Sequence, residues 1–314
     1  MTARAVVFAY HNVGVRCLKV LLAHRVEIPL ILTHADDPVE DIWFASVARA
    51  AAEYGIPAII PEDANDHAVV ERVAACRPDF LFSFYYRRML KSPLLALPRL
   101  GALNMHGSLL PKYRGRAPVN WAVLHGETET GATLHYMTEK PDNGDIVGQT
   151  RVPILPDDTA REVFDKVTVA AEITLDGVIA DLLRGTAPRR PQNPALGSYF
   201  GGRSPEDGVI DWSRSATEIH NLVRAVAPPY PGARTTLACK PARILRTRVL
   251  GPASESPAPS LGVEDERLVA HCGGGGALAV LELEIDRARI DADGFIRAAG
   301  ASMLELPRKN RSTP

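Results

Sequence analysis

Three side chains could carry chemistry together: Asn104 and His106 in the run GALNMH, and Asp142 in KPDNGD. Asn104 and His106 stand two residues apart in an apolar, strand-like stretch, so they point to the same side of a strand. An amide donates hydrogen bonds to a developing oxyanion. An imidazole takes or delivers a proton near neutral pH, and a carboxylate orients that imidazole and stabilises its charged form. The set suits acyl transfer in which the substrate supplies the nucleophile and no covalent enzyme intermediate forms. A carboxylate near His106 raises its pKa, which leaves open whether His106 or Asp142 finally holds the proton. Taken alone, a histidine at a strand end is more often a hydrogen-bonded core residue; Asn104 beside it shifts the balance toward chemistry.

The elements that must position these groups follow an alternating pattern. Ala5 to Tyr10 reads as a strand, ended by His11, Asn12 and Gly14, and a helical pattern runs on through Val15, Leu18 and Leu22. Strands are expected at 28–33, 56–60, 79–85 and 101–106, with helices at 41–54, 67–75 and 118–125 between and after them. Apolar runs separated by helices imply an α/β fold with a parallel sheet covered on both faces, whose ligands sit beyond the carboxyl ends of the strands. Strands at 131–137 and 145–152 and a long amphipathic helix at 159–183 complete this domain. No GxGxxG fingerprint is present, so no NAD is expected.

From Gly185 to Gly202 the chain is rich in Pro, Gly and Arg and reads as a linker. Beyond it come a helix at 215–226 and short strands at 234–237, 242–249, 268–272, 277–285 and 295–298. Gly-rich turns such as Gly273 to Gly276 join them, and the pattern fits a small open barrel. The expected division is a catalytic domain at 1–190, a linker at 191–202, the barrel domain at 203–306 and a disordered tail at 307–314. At 314 residues the chain is long enough for one large and one smaller domain.

Charge narrows the partners. Lys+Arg 36 against Asp+Glu 37 leaves no global field that would draw nucleic acid or an anionic membrane. From Pro191 to Pro314 the counts are 15 against 14, so the second half is near neutral as well. Cys17, Cys76, Cys239 and Cys272 show no metal-ligand spacing and read as reduced thiols; no metal is expected. No apolar run reaches the length of a membrane span and no signal-peptide layout opens the chain, so a cytoplasmic protein is expected.

These residues resemble the folate-dependent formyltransferases, which share an Asn-x-His motif, an SLLPxYRG-like loop and a downstream Asp. Here they stand as Asn104-Met105-His106, Ser108 to Gly115 and Asp142. The resemblance covers nearly the whole chain and implies a Rossmann-like catalytic domain followed by an OB-like β-barrel. Within the family the chain looks most like the formyltransferases that act on UDP-4-amino-4-deoxy-L-arabinose in lipid A modification and polymyxin resistance. VVFAYH at Val6 to His11, FSFYYR at Phe82 to Arg87, HGSLLPKYRGRAPVNW at His106 to Trp121 and GETETGATLH at Gly126 to His135 carry that likeness.

By resemblance, Asn104 stabilises the oxyanion, His106 handles the amine proton and Asp142 tunes His106. The co-substrate 10-formyltetrahydrofolate would lie near Arg88, Met89, Leu90 and Arg116 and along Thr138, Glu139, Lys140, Pro141 and Asp142. Ser108, Lys112, Tyr113 and Arg114 would face the sugar nucleotide. The bifunctional relatives also carry an NAD-dependent decarboxylating domain; none is expected in this chain, and a separate decarboxylase domain or protein is the expected partner. Methionyl-tRNA formyltransferase and formyltransferases for other UDP- or dTDP-linked amino sugars are the alternatives, the first disfavoured by the neutral second half. His135 is expected to be structural, and Trp212 and Tyr230 to pack between the domains.

Overall fold

The computed structural model describes residues 3–251 and 258–306; the tail expected to be disordered, 307–314, lies outside the described residues. The chain opens with β1 (Arg4–Ala9), α1 (His11–Ala23), β2 (Glu27–Leu32), α2 (Val47–Glu53), β3 (Ala58–Ile59), α3 (His67–Ala75), β4 (Phe80–Phe84), α4 (Ser92–Leu95) and β5 (Gly101–His106). It continues through β6 (Arg114–Gly115), α5 (Pro118–Leu124), β7 (Glu129–Tyr136), β8 (Ile146–Pro153), α6 (Ala160–Arg184) and β9 (Tyr199–Phe200). The main sheet has the order β3-β2-β1-β4-β5-β7-β8. Its first five strands are parallel, and β7 and β8 return antiparallel.

The central parallel strands β1 and β4 are buried on both faces, as their apolar runs require: β4 is buried at every residue, with Phe82 stacked between Phe80 and Phe84. Helix α1 starts earlier than its periodicity suggests, at His11. Gly14 explains how the helix can lie so close, since a Cβ there would come within 3.1 Å of both Ala9 and Val47 side chains. Helix α2 is shorter than expected because residues 35–46 are held in a loop by side chains: Tyr10 donates to Asp36, Arg87 pairs with Glu40, and Ser46 then caps the helix by accepting from Arg49 N.

Two compact units divide the chain. One comprises Met1–Pro118, Glu129–Pro153 and Phe164–Gly201; the other comprises Val119–Thr128, Ile154–Val163 and Gly202–Pro314. Two segments that the alternating pattern assigned to the first domain therefore belong to the second. Buried polar bonds tie them there: Asn120 donates to Ala225 O, and Arg224 donates to Asp158 O. The stretch expected as a linker, 191–202, is folded onto the first unit instead, up to Gly201. Its Tyr199–Phe200 pairs with Arg114–Gly115 as a two-stranded ribbon.

The second unit holds α7 (Ala216–Val226), β10 (Ala233–Leu237), β11 (Lys240–Val249), β12 (Ser260–Glu264), β13 (Arg267–His271), β14 (Ala277–Ile285), β15 (Ala288–Ile290), α8 (Ala292–Ala299) and β16 (Met303–Glu305). Its strands form a curled antiparallel half-barrel in the order β10-β11-β14-β13-β12-β16, with β15 on β14, in keeping with the OB-like expectation. Trp212 is fully buried in this unit's own core, donating to Thr235 Oγ1, which corrects the expectation that it packs between domains. The expected strand at 295–298 is the helix α8. Asp291 caps it by accepting from Gly294 N, and Gly300 ends it at φ 68°, local signals that outweigh β-propensity at Phe295 and Ile296.

Candidate active site

Strand β5 ends with Asn104 and His106 beside two neighbours: Asn104 lies opposite Ser83 of β4 and His135 of β7, and His106 opposite Thr133. The connection from β7 to β8 returns Asp142 to the same end. Asp142 Oδ1 lies 3.5 Å from His106 Nδ1 and 3.4 Å from Asn104 Nδ2, and Oδ2 accepts from Gly115 N at 2.9 Å. The three residues singled out by sequence therefore meet, all within the first unit.

The protonation pattern can be read from the partners. His106, 6% exposed, places Nε2 at 2.7 Å from the carbonyl oxygen of Tyr113. A carbonyl only accepts, so Nε2 carries the hydrogen and Nδ1 is left to exchange a proton on the side facing Asp142. Burial alone would push the Asp142 carboxyl up, but His106, His135 and the Gly115 N–H outweigh it and hold it well below the usual carboxylate range. Asp142 is thus ionised and faces Nδ1 as an acceptor. The ionised Asp142 accepts only, which fixes the Asn104 amide with its nitrogen toward Asp142.

His135, expected to be structural, is buried against the site. It is 1% exposed, its Nδ1 bonds Tyr136 O at 2.8 Å, and its Nε2 lies 3.2 Å from Asn104 Nδ2 and 3.4 Å from Asp142 Oδ1. Its side chain braces both groups from the next strand. The available signal was Thr133 and His135, two polar residues at strand spacing in an otherwise apolar run.

The loop after β5 is bound down from both ends. Thr133 Oγ1 donates to Ser108 O and accepts from Leu110 N, while Gln149 Nε2 donates to Leu110 O. Ser108, expected to face a sugar nucleotide, is fully buried and donates to Lys112 O; it builds the loop and touches no open space. Tyr113 is corrected likewise: its ring is buried and stacked on Phe200. Lys112 and Arg116 are exposed, and Arg114 is half-buried with Nη1 donating to Asn143 Oδ1.

The segments expected to hold a folate flank this centre. Arg88 and Met89 are exposed, whereas Leu90 is buried in the hydrophobic core with Leu30, Leu81 and Leu94. Asn65 fixes the segment by donating to Met89 O and accepting from Lys91 N. Ser92 Oγ donates to Glu139, which joins the stretch after β4 to the stretch that leads to Asp142. Thr138 Oγ1 donates to Lys140 O, turning the chain there, and Pro141 is half-buried just before Asp142. Nearby, His34 stacks on Tyr86 and accepts from Arg87 N; burial, with Arg88 and Arg87, pushes its pKa down to about 4, so it is neutral.

The Asn-x-His strand end and the carboxylate opposite it stand together as the resemblance to the formyltransferases implied. The chain belongs to the formyl transferase family: the family's formyl transferase domain matches residues 23–179 and its C-terminal domain matches residues 203–300. Among solved structures, the chain is similar to an N-formyltransferase from Helicobacter canadensis in complex with folinic acid and dTDP-3-aminofucose. That pair is 22% identical, with a TM-score of 0.68 over 89% of this chain and 99% of the other. It is similar also to the sugar 3N-formyl transferase WlaRD, solved with dTDP and 5-N-formyl-THF (20% identity, TM-score 0.68, 89% and 98% covered). HypX from Aquifex aeolicus with tetrahydrofolic acid matches at 16% identity and a TM-score of 0.62, over 96% of this chain and 47% of that one.

Proposed function

We propose that this enzyme transfers the formyl group of 10-formyltetrahydrofolate to the 4-amine of UDP-4-amino-4-deoxy-L-arabinose. The observation that carries the reading is the meeting of Asn104, His106 and Asp142 at the end of β5, with the free imidazole nitrogen turned toward an ionised carboxylate. The uncharged amine attacks the formyl carbon, and the new oxyanion is met by the Asn104 amide. Its Nδ2 contacts are long, 3.2 and 3.4 Å, so an incoming oxyanion competes well for one of those hydrogens. His106 Nδ1 takes the proton released by the amine, Asp142 stabilises the imidazolium, and the proton passes to N10 of the folate as the carbon–nitrogen bond breaks. Tetrahydrofolate and the formamido sugar leave.

Arg88, Met89, the backbone at Leu90, Arg116 and Thr138 to Asp142 form the folate side in this reading. Lys112 and Arg114 supply charge-assisted donors for the diphosphate. The product would serve lipid A modification, in the cytoplasm, with the decarboxylation carried out by a separate domain or protein. Two similar structures, one in complex with dTDP-3-aminofucose and one a sugar 3N-formyl transferase solved with dTDP, favour a second reading in which the acceptor is another nucleotide-linked amino sugar. The test is a formylation assay with 10-formyltetrahydrofolate offering UDP-4-amino-4-deoxy-L-arabinose, dTDP-3-aminofucose and charged initiator methionyl-tRNA in competition. Formylation of the arabinose derivative alone supports the main reading; preference for either competitor removes it.

A further inference from the structure

The stretch from Arg190 to Phe200 has the composition of a linker, yet it is bonded to both loops that serve His106. Arg190 and Ile146 exchange backbone hydrogen bonds at 2.8 and 3.0 Å. Gln192 Nε2 donates to Asp142 O at 3.0 Å and to Gly144 O at 2.7 Å. Ser198 uses all its polar groups on the other loop: its N–H donates to Pro111 O, its carbonyl accepts from Arg114 N, and its Oγ accepts from Tyr113 N at 2.9 Å. Phe200 O accepts from Arg116 N, and the Phe200 ring stacks on Tyr113. The approach is close enough to need glycine on both sides: a Cβ at Gly197 would stand 2.4 Å from Pro111 O, and one at Gly115 2.2 Å from Phe200 O.

The two residues so gripped are the two that face the imidazole of His106. Tyr113 supplies the carbonyl that fixes Nε2–H, and Asp142 supplies the carboxylate opposite Nδ1. Both have left-handed backbones, Tyr113 at φ 56° and Asp142 at φ 52°, a region that side-chain-bearing residues occupy only when their surroundings hold them there. Ser198 grips the N–H of Tyr113 and Gln192 grips the C=O of Asp142, six residues apart in one segment. We infer that Arg190 to Phe200 is a clasp that sets the tautomer and orientation of His106, with Ser198 and Gln192 as positioning residues for proton transfer. This rests on the reading of His106 as the proton carrier.

Asp142 faces His106 and His135 lies against the same carboxylate, whereas Gln192 and Ser198 are uncharged, so their replacement leaves local charge unchanged. The test uses the full chain with Ser198→Ala, Ser198→Thr and Gln192→Met. Nitrogen-15 spectra of the His106 ring report the tautomer without any substrate, and steady-state kinetics report kcat, KM and the pH profile. Ser198→Ala should spread the ring between Nε2–H and Nδ1–H, and lower kcat about tenfold with KM within twofold, since small misplacements of a reacting group cost rate more than binding. It should move the acid limb of kcat to lower pH, because the imidazolium loses a fixed acceptor, while Ser198→Thr restores all three. Gln192→Met should lower kcat similarly through Asp142.

The inference falls if both variants keep kcat within twofold, or if activity is lost together with thermal stability while the tautomer and the pH profile stay fixed. Should the wild type fail to formylate any amino sugar while Ser198→Ala still shifts the ring tautomer, the clasp stands and the proposed acceptor falls.

Discussion

The ring nitrogen Nε2 of His106 donates to the carbonyl oxygen of Tyr113 across 2.7 Å, so a residue seven positions later decides which imidazole nitrogen does chemistry. Replacing His106 with Gln keeps a donor near the Nε2 position but supplies no base. Turnover in His106→Gln should fall by about 10²- to 10⁴-fold with the fold intact, as expected for loss of a general acid–base group. Single-turnover formyl transfer alongside circular dichroism checks it, and a fall of less than tenfold would assign the proton to another group.

Asn104 stands between two contacts of 3.2 and 3.4 Å, which keep its amide oriented without committing it. Asn104→Ala should reduce kcat by about 10²- to 10³-fold if its hydrogen meets the oxyanion. Comparing KM for the folate in the same experiment separates binding from catalysis: KM should change little.

Asp142 gives a stability effect with a definite sign. Its folded pKa is depressed, so its ionised form stabilises the native state at every pH above the ordinary carboxylate value of about 4. That contribution is lost as pH falls from there through the lower folded value. The stability difference between wild type and Asp142→Asn should therefore shrink as pH falls below about 4. Urea unfolding from about pH 5 downward measures it, and a difference that grows below about pH 4 would contradict the depressed pKa.

His135 touches Asn104 and Asp142 but is removed from open space, and its Nδ1 is occupied by Tyr136 O. His135→Leu should lower kcat about tenfold through loosened orientation and leave a buried amide and carboxylate short of one partner each. Thermal denaturation should register a loss of about 1–3 kcal/mol. Unchanged kinetics with lowered stability would restrict His135 to the structural part expected from the sequence.

Much of this architecture was legible in the sequence, and the exceptions share a cause. Continuous apolar runs and helical patterns located the parallel sheet, and Asn104 and His106 declared themselves by spacing, because those signals depend on a residue and its near neighbours. His135 and the clasp did not, because their meaning lies in strand register and in contacts between Ser198 and Tyr113, 85 residues apart. The segments 119–128 and 154–163 were misassigned for the same reason: helical periodicity says which face is buried and is silent on which unit buries it. At α8 the sequence did hold the answer, in Asp291 and Gly300, and β-propensity at Phe295 obscured it.

The two arginines of the loop should separate kinetically. Arg114 is half-buried beside Asn143 and close to the catalytic carboxylate, whereas Arg116 is exposed and bound to the clasp only through its backbone N–H. If Arg114 meets the diphosphate and Arg116 the folate, Arg114→Ala should raise KM for the sugar nucleotide, and Arg116→Ala should raise KM for 10-formyltetrahydrofolate. Charge-assisted hydrogen bonds of about 1.5–3 kcal/mol correspond to roughly 10- to 100-fold in each case. Arg114→Lys should recover only part of the loss, because an ammonium cannot present the paired donors that a diphosphate accepts. Initial rates with each substrate varied in turn measure both constants; a shared rise in both KM values for either variant would mean that the loop acts as one body and that the two ligands are not divided between these side chains.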